Sequence, residues 1–199
     1  MIRSLVIFLH GIGSQGADLS PLADMWRRAL PQTVFAAPDA PVPFDGGRGH
    51  QWFSIKGITE DGRPARVIAA RDSFDAVLGQ LMREHEVGPE RTVLVGFSQG
   101  AIMALDLVAS GRLPLAGVVA VAGRLTTPAP LTPATDARAL LIHGSDDHVI
   151  PPAMSVLAEQ RLTEAGVATD LTLISGMPHT IDRQAAEAIG HFLIQAFRS

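Results

Sequence analysis

A mostly parallel, doubly wound α/β sheet in one domain spanning residues 1–199 is the fold class this sequence predicts. Three observations carry that expectation. Short runs of Val, Ile, Leu and Phe alternate with longer segments of helical period, the pattern of strand–helix–strand units. Most of the short runs are continuously apolar rather than alternating, as strands are when helices cover both faces of a sheet. The chain has 199 residues, 47% hydrophobic and 18% charged, a size and composition that suit a single sizeable core.

Each element has its own signal. The first strand, residues 5–9 (LVIFL), sits in an N-terminus that imitates a secretory leader, with Arg3 ahead of apolar residues. The apolar run is shorter than a leader core and passes into His-Gly rather than a small-residue cleavage site, so it reads as a buried strand. Ser20-Pro21 reads as a helix N-cap with proline at the first helical position, and Leu22, Met25, Trp26, Ala29 and Leu30 share one face. Residues 33–36 form the second strand. Residues 38–64 are the longest irregular stretch, with Gly46, Gly47 and Gly49 clustered in it. A loop that long in a compact domain is more often functional than accidental.

Val67, Ala70, Phe74, Val77, Leu78, Leu81 and Met82 recur at three- and four-residue steps, marking a helix that ends at Gly88-Pro89. Residues 92–96 are a strand, followed by a helix with Ile102, Leu105, Val108 and Ala109, and by a strand over 115–121. Proline-rich 127–133 reads as a surface spacer. A strand at 139–142, a helix over 152–165 stopped by Gly166, and a strand at 170–174 come next. A last helix carries Ile189, Phe192, Leu193 and Ala196.

The totals exclude several classes. A formal net charge of −4 and a pI of about 5.9 leave no electrostatic footprint for nucleic acid or an anionic membrane surface. The chain has no cysteine, so disulfides, thiolate nucleophiles and cysteine metal sites are absent from its chemistry. No stretch is long and apolar enough to span a membrane. The expectation is a soluble cytoplasmic protein with no nucleic-acid partner and no stable membrane insertion. Exposed apolar residues around an open site would permit a homodimer.

Chemistry concentrates around VLVGFSQGAIMAL. The bare pattern G-x-S-x-G is weak, but here a strand enters it and an apolar helix leaves it, the setting of a nucleophile elbow. Gly96 and Gly100 leave room for a strained turn that exposes Ser98, and the N–H of Gln99 lies at a helix N-terminus. The bland alternative is an ordinary turn serine. The remaining parts come in the chain order Ser, Asp, His.

A serine nucleophile needs a base. Of seven histidines, His10 and His143 each end a strand before glycine, where a structural hydrogen bond is expected. His85 and His191 fall in helices, and His50 lies in the long loop. His148 adjoins the acid candidates, and neighbouring residues point apart. His179, after the last strand in SGMPHTID, stands where the base belongs. The acid that holds it comes from LLIHGSDDHVIPP, where residue chemistry leaves Asp146 and Asp147 open. LHGIGSQG, after the first strand, places backbone N–H groups near Gly11–Gly13 where a substrate oxygen could approach. It has neither the lysine of a P-loop nor a dinucleotide fingerprint.

Taken together, LHGIGSQG, APDAP, WFSI, GFSQGA, HGSDDHVIP and MPHT resemble the phospholipase/carboxylesterase family of α/β-hydrolases, which includes the acyl-protein thioesterases. The resemblance runs from near residue 5 to near residue 180. It implies a compact α/β-hydrolase fold without a separate lid domain, and Asp147 rather than Asp146 as the triad acid. It also implies Ile12 and Gln99 as backbone oxyanion donors, Trp52 beside the acyl pocket, and no metal or organic cofactor. Phe53 and Met177 are further candidate walls. His148 stands where the family commonly has proline, and WFSI replaces WFD. The resulting expectation is a serine carboxylesterase acting on small-molecule esters through Ser98, Asp147 and His179. The rivals are an acyl-protein thioesterase or lysophospholipase of the same family, and a noncatalytic α/β-hydrolase binding module.

Overall fold

The computed structural model describes residues 4–198; Met1–Arg3, the start of the leader-like stretch, and Ser199 lie outside the described residues. In chain order the strands are β1 (Ser4–Leu9), β2 (Thr33–Ala36), β3 (Val42–Pro43), β4 (His50–Gln51), β5 (Thr92–Phe97), β6 (Gly117–Val121), β7 (Arg138–Gly144) and β8 (Ala168–Ile174). The helices are α1 (Arg63–Ala69), α2 (Arg71–His85), α3 (Gln99–Ser110), α4 (Ala153–Glu164) and α5 (Arg183–Arg198). Six strands form one sheet in the order β2-β1-β5-β6-β7-β8, every neighbouring pair parallel. β3 and β4 make a separate antiparallel hairpin inside the long 38–64 loop.

The continuous apolar runs have the physical reason expected of them. Leu5, Ile7 and Leu9 face one core with Phe74, Leu78, Leu105 and Leu162 from α2, α3 and α4. Val6 and Phe8 face the other, with Trp26 and with Ile189, Phe192 and Leu193 from α5. Both faces are covered, so no polar alternation is needed.

Boundaries move where local chemistry differs from the apolar pattern. The segment after β1 folds as two short 3-10 turns, Gly16–Asp18 and Ser20–Met25, rather than one α-helix. Ser14 Oγ and the Gln15 N–H both donate to Asp18, so the turn begins upstream of Ser20. Ser20 is therefore not an N-cap; Leu19 precedes the second turn, and the Ser20 hydroxyl donates to the Ala17 carbonyl at 3.0 Å. The helix expected through 67–82 is two, α1 and α2, meeting at Ala70, with Val67, Phe74, Leu78 and Met82 still on one buried stripe. β6 begins at Gly117 because Leu115 turns back to the Leu113 carbonyl. β7 and β8 extend past their apolar cores, from Arg138↔Ala168 to Gly144↔Ile174. β8 is an edge strand with one open face, where polar residues are tolerated.

Strand order places the site. The chain runs from β1 outward to β2, and then returns to add β5 on β1's other side. The carboxyl ends of β1 and β5 thus flank the point where the winding reverses, the crevice in which open α/β sheets bind ligands.

Candidate active site

Ser98 sits between β5 and α3 with φ 53° and ψ −113°. A side-chain-bearing residue rarely adopts that backbone, and holding it costs about 1–3 kcal/mol. Gly100 explains why the turn closes: a Cβ there would lie 2.1 Å from the Leu9 carbonyl oxygen. The Ser98 N–H donates to the Val121 carbonyl at 2.9 Å, fixing the turn to β6.

His179 Nε2 lies 3.0 Å from Ser98 Oγ, and His179 Nδ1 lies 2.7 Å from Asp147 Oδ2. Nδ1–H donates a hydrogen bond to the carboxylate, which leaves the Nε2 lone pair facing the serine hydroxyl. Phe97 packs on the imidazole, ring centroids 4.9 Å apart. His179 is carried by a loop that ends when Asp182 accepts the Ala185 N–H at the start of α5.

The two aspartates separate by environment. Asp146 is exposed and accepts the neighbouring Ser145 hydroxyl. Asp147 is buried, and its Oδ1 accepts the N–H groups of Val149 and Ile150 at 2.8 and 2.9 Å. Burial alone would raise its pKa. The His179 bond and the Ile150 and Val149 N–H groups outweigh burial and hold the carboxyl below its ordinary value.

His143 is a partner whose role the sequence does not disclose. Its structural hydrogen bonds go to this carboxylate: Nε2 lies 3.1 Å from Asp147 Oδ2 and 2.9 Å from the Ile150 carbonyl. Both neighbours are acceptors, so Nε2 carries a proton, while Nδ1 meets the Ser155 hydroxyl at 2.6 Å. The only signal was spacing, a strand-end histidine four residues before the acid. His10 is likewise structural. Its Nε2 accepts the Ala40 N–H and its Nδ1 donates to Gly11, which anchors the Gly11–Gly13 loop. His148 and His191 are exposed.

Ser98 lies where two cavities meet. The larger, about 500 Å³, is lined by Gly11, Ile12, Leu19, Leu22, Phe97, His179 and Ile181 among others. The smaller, about 160 Å³, is lined by Ile12, Phe53, Ile55, Gln99, Ile102, Val149 and Ile150, together with Arg63 and Arg124. Gln99 is held in place by its side chain, which accepts the Trp52 N–H at 2.7 Å and donates to the Phe53 carbonyl at 2.8 Å.

Two of the apolar candidates lie elsewhere. Trp52 is 1% exposed, donates its indole N–H to the His10 carbonyl and packs edge-on against Phe74. Met177 is buried in the α5-side core, and its carbonyl accepts the Asp146 N–H. Neither lines a cavity at Ser98. Both are large apolar side chains whose volume is needed beneath the site loops rather than in their mouth. Phe53 does line the smaller cavity.

Comparison with known proteins identifies the family. The model of the phospholipase/carboxylesterase family matches residues 2–196. The chain is 32% identical over 190 residues to the esterase YpfH of Escherichia coli strain K12, covering 95% of this chain and 82% of that protein. It is 27% identical over 208 residues to acyl-protein thioesterase 1 homolog 1 of Dictyostelium discoideum, covering 94% and 88%. Among solved structures, esterase PE8 superposes with a TM-score of 0.91 at 36% identity, over 98% of this chain and 93% of that one. With the fold, the ordered Ser, Asp and His and the family match in agreement, the chain belongs to the phospholipase/carboxylesterase family of α/β-hydrolases.

Proposed function

We propose that this carboxylic ester hydrolase works as a serine esterase whose acyl-enzyme forms on Ser98, with His179 as base and Asp147 as the acid that orients it. The contact of 3.0 Å between His179 Nε2 and Ser98 Oγ, backed by Asp147 at 2.7 Å, carries this reading. His179 takes the hydroxyl proton as Oγ attacks the ester carbonyl carbon. The N–H groups of Ile12 and Gln99, on the walls around Ser98, are the donors that would receive the developing oxyanion. The alkoxy C–O bond then breaks, and the leaving oxygen takes its proton from His179. Water, activated by the same imidazole, releases the acid.

A fluorophosphonate probe should label the protein at Ser98, and Ser98→Ala should lose labelling and roughly a millionfold in kcat toward p-nitrophenyl esters. Equal labelling and turnover of Ser98→Ala would overturn the assignment. A noncatalytic binding module predicts ligand binding without any turnover. A panel of esters and thioesters from short to long acyl chains separates the small-ester reading from the thioesterase one, which requires a strong preference for long chains.

A further inference from the structure

The smaller cavity holds an imbalance of charge that the triad does not use. Arg63 and Arg124 both line it, together with Phe53, Ile55 and Ile102, on the wall that ends at Ser98. Their side chains are only 15% and 13% exposed. Both cations lean on a single anion: Arg63 Nη2 meets Glu60 Oε1 at 2.8 Å, and Arg124 Nη1 meets Glu60 Oε2 at 2.7 Å. Glu60 itself is 71% exposed, on the solvent side of the pair. Two half-buried positive charges against one exposed negative charge leave the cavity with a surplus of one. The Nε of each arginine is buried without a hydrogen-bond partner among the described residues. Burial, and then repulsion from Arg63, pull the Arg124 guanidinium below its ordinary pKa. Incompletely satisfied guanidinium groups in a partly desolvated pocket are the donors that bind carboxylates most strongly.

The geometry of the triad says which half of an ester reaches them. The departing alcohol must lie where His179 can protonate it, and His179 lines the larger cavity. The acyl group then extends the other way, past Gln99 into the smaller cavity, which His179 does not line. We propose that this cavity binds the free carboxylate of a short dicarboxylic acid monoester, Arg63 and Arg124 holding the carboxylate while Phe53, Ile55 and Ile102 enclose the intervening methylenes. Ser98 Oγ forms the new acyl bond, the alkoxy C–O bond breaks, the alcohol leaves with the proton from His179, and water then frees the dicarboxylate. The assignment rests on the esterase reading of Ser98 and specifies its substrate class.

The test compares monoethyl glutarate with two neutral counterparts, ethyl glutaramate and ethyl pentanoate, following acid release by titration. The expected ratio of kcat/KM for the charged over the neutral esters is about tenfold, the size of one charge-assisted contact. Arg124→Gln and Arg63→Gln should each bring that ratio toward one, chiefly through KM. Glu60→Gln, which removes the competing anion, should raise it. Glutarate should inhibit the wild type competitively and the arginine variants more weakly, a readout that stands even if one variant folds poorly. An ester bearing its carboxylate on the alcohol, the acetate ester of 4-hydroxybutanoate, should gain no preference. A wild-type ratio near one, or a ratio untouched by both arginine variants, overturns the proposal while leaving Ser98-dependent hydrolysis of ethyl pentanoate intact. Preference for the alcohol-side carboxylate overturns it too. Loss of turnover on every ester would instead remove the esterase reading beneath it.

Discussion

Ser98 keeps a backbone at φ 53° only because its neighbours give up their side chains. At Gly96 a Cβ would meet the Ala101 nitrogen at 2.6 Å, and at Gly100 it would meet the Leu9 carbonyl at 2.1 Å. Backbone cannot move aside as a flexible side chain can, so Gly100→Ala should open the turn and displace Ser98 from His179. We expect kcat to fall by about 100-fold or more, as a displacement of around 1 Å in a reacting group does, with the fold retained by circular dichroism. Full activity in Gly100→Ala would show that the elbow tolerates a methyl group. His143 invites a second test at this scale. It touches Asp147, not substrate, and so acts as a positioning residue. His143→Phe should lower kcat by about tenfold, the worth of one hydrogen bond to a charged group, with KM nearly unchanged. His143→Gln, whose amide N–H can still reach the carboxylate, should recover part of the loss. A purely packing role predicts the reverse order, since Phe keeps the ring volume. Ser98 and His179 were legible because each follows a strand in the order such chemistry needs. Strand order left Asp146 and Asp147 open, and only the family resemblance pointed to Asp147. The claim of His143 on Asp147 was not legible, because a strand-end histidine reads the same whether it faces a carboxylate or a carbonyl.

Among the elements, the helices on one face of the sheet, α2, α3 and α4, are fastened around one buried carboxylate. Asp106 on α3 is fully buried and takes a bidentate pair of hydrogen bonds from Arg71 of α2, at 2.8 and 2.9 Å. Arg112 bridges it at 2.9 Å to Asp75 of α2, and the Thr127 hydroxyl donates to it at 2.8 Å. Arg161 of α4 adds a bond to the Thr127 carbonyl, so three helices and the 127–133 segment share the network. That segment, read as a spacer, therefore has a structural attachment. Breaking a buried pair by removing one partner costs about 3–5 kcal/mol. Arg71 and Arg112 keep some solvent contact, so Asp106→Asn should lie near about 3 kcal/mol in urea unfolding. A loss under about 1 kcal/mol, the range of surface ion pairs, would mean the network contributes little. Helical periodicity identifies the apolar faces of α2 and α3, but Asp106 interrupts an apolar helix with partners 35 residues upstream. Sequence spacing carries no sign of that pairing. The same limit explains Ser20, where the capping pair lies upstream at Gln15 and Asp18, and the paired arginines of the smaller cavity, which lie on α1 and beyond β6.

For the molecule as a whole, the six strands of the main sheet were readable, but the short β3–β4 hairpin and the strand order were not, because an apolar run reports burial but not its neighbour. It is the order that brings the Gly11–Gly13 loop beside Ser98, and that order follows from adding β5 to the free side of β1. Through the same packing, stability depends on two carboxylates far apart in the chain. Burial would raise the pKa of Asp106, yet Arg71, Thr127 and Arg112 hold it below the ordinary value, and Asp147 is held low by His179 and two backbone N–H groups. In the unfolded chain both titrate near about 3.9. A folded-state pKa below the unfolded one means that the unfolded chain binds protons first as the solution is acidified. Their contribution is therefore fully present above about pH 4 to 5 and drains away as pH falls through the folded values. Urea midpoints should accordingly change little on account of these groups between pH 7 and pH 5, then drop steeply below about pH 4. Asp106→Asn has no proton to take up at that position. It should start from a lower midpoint at pH 7 and lose less on acidification, so that the two curves converge. Parallel curves over the acid range would mean that the buried Asp106 carboxylate is not a source of the acid sensitivity, whatever it contributes at neutral pH.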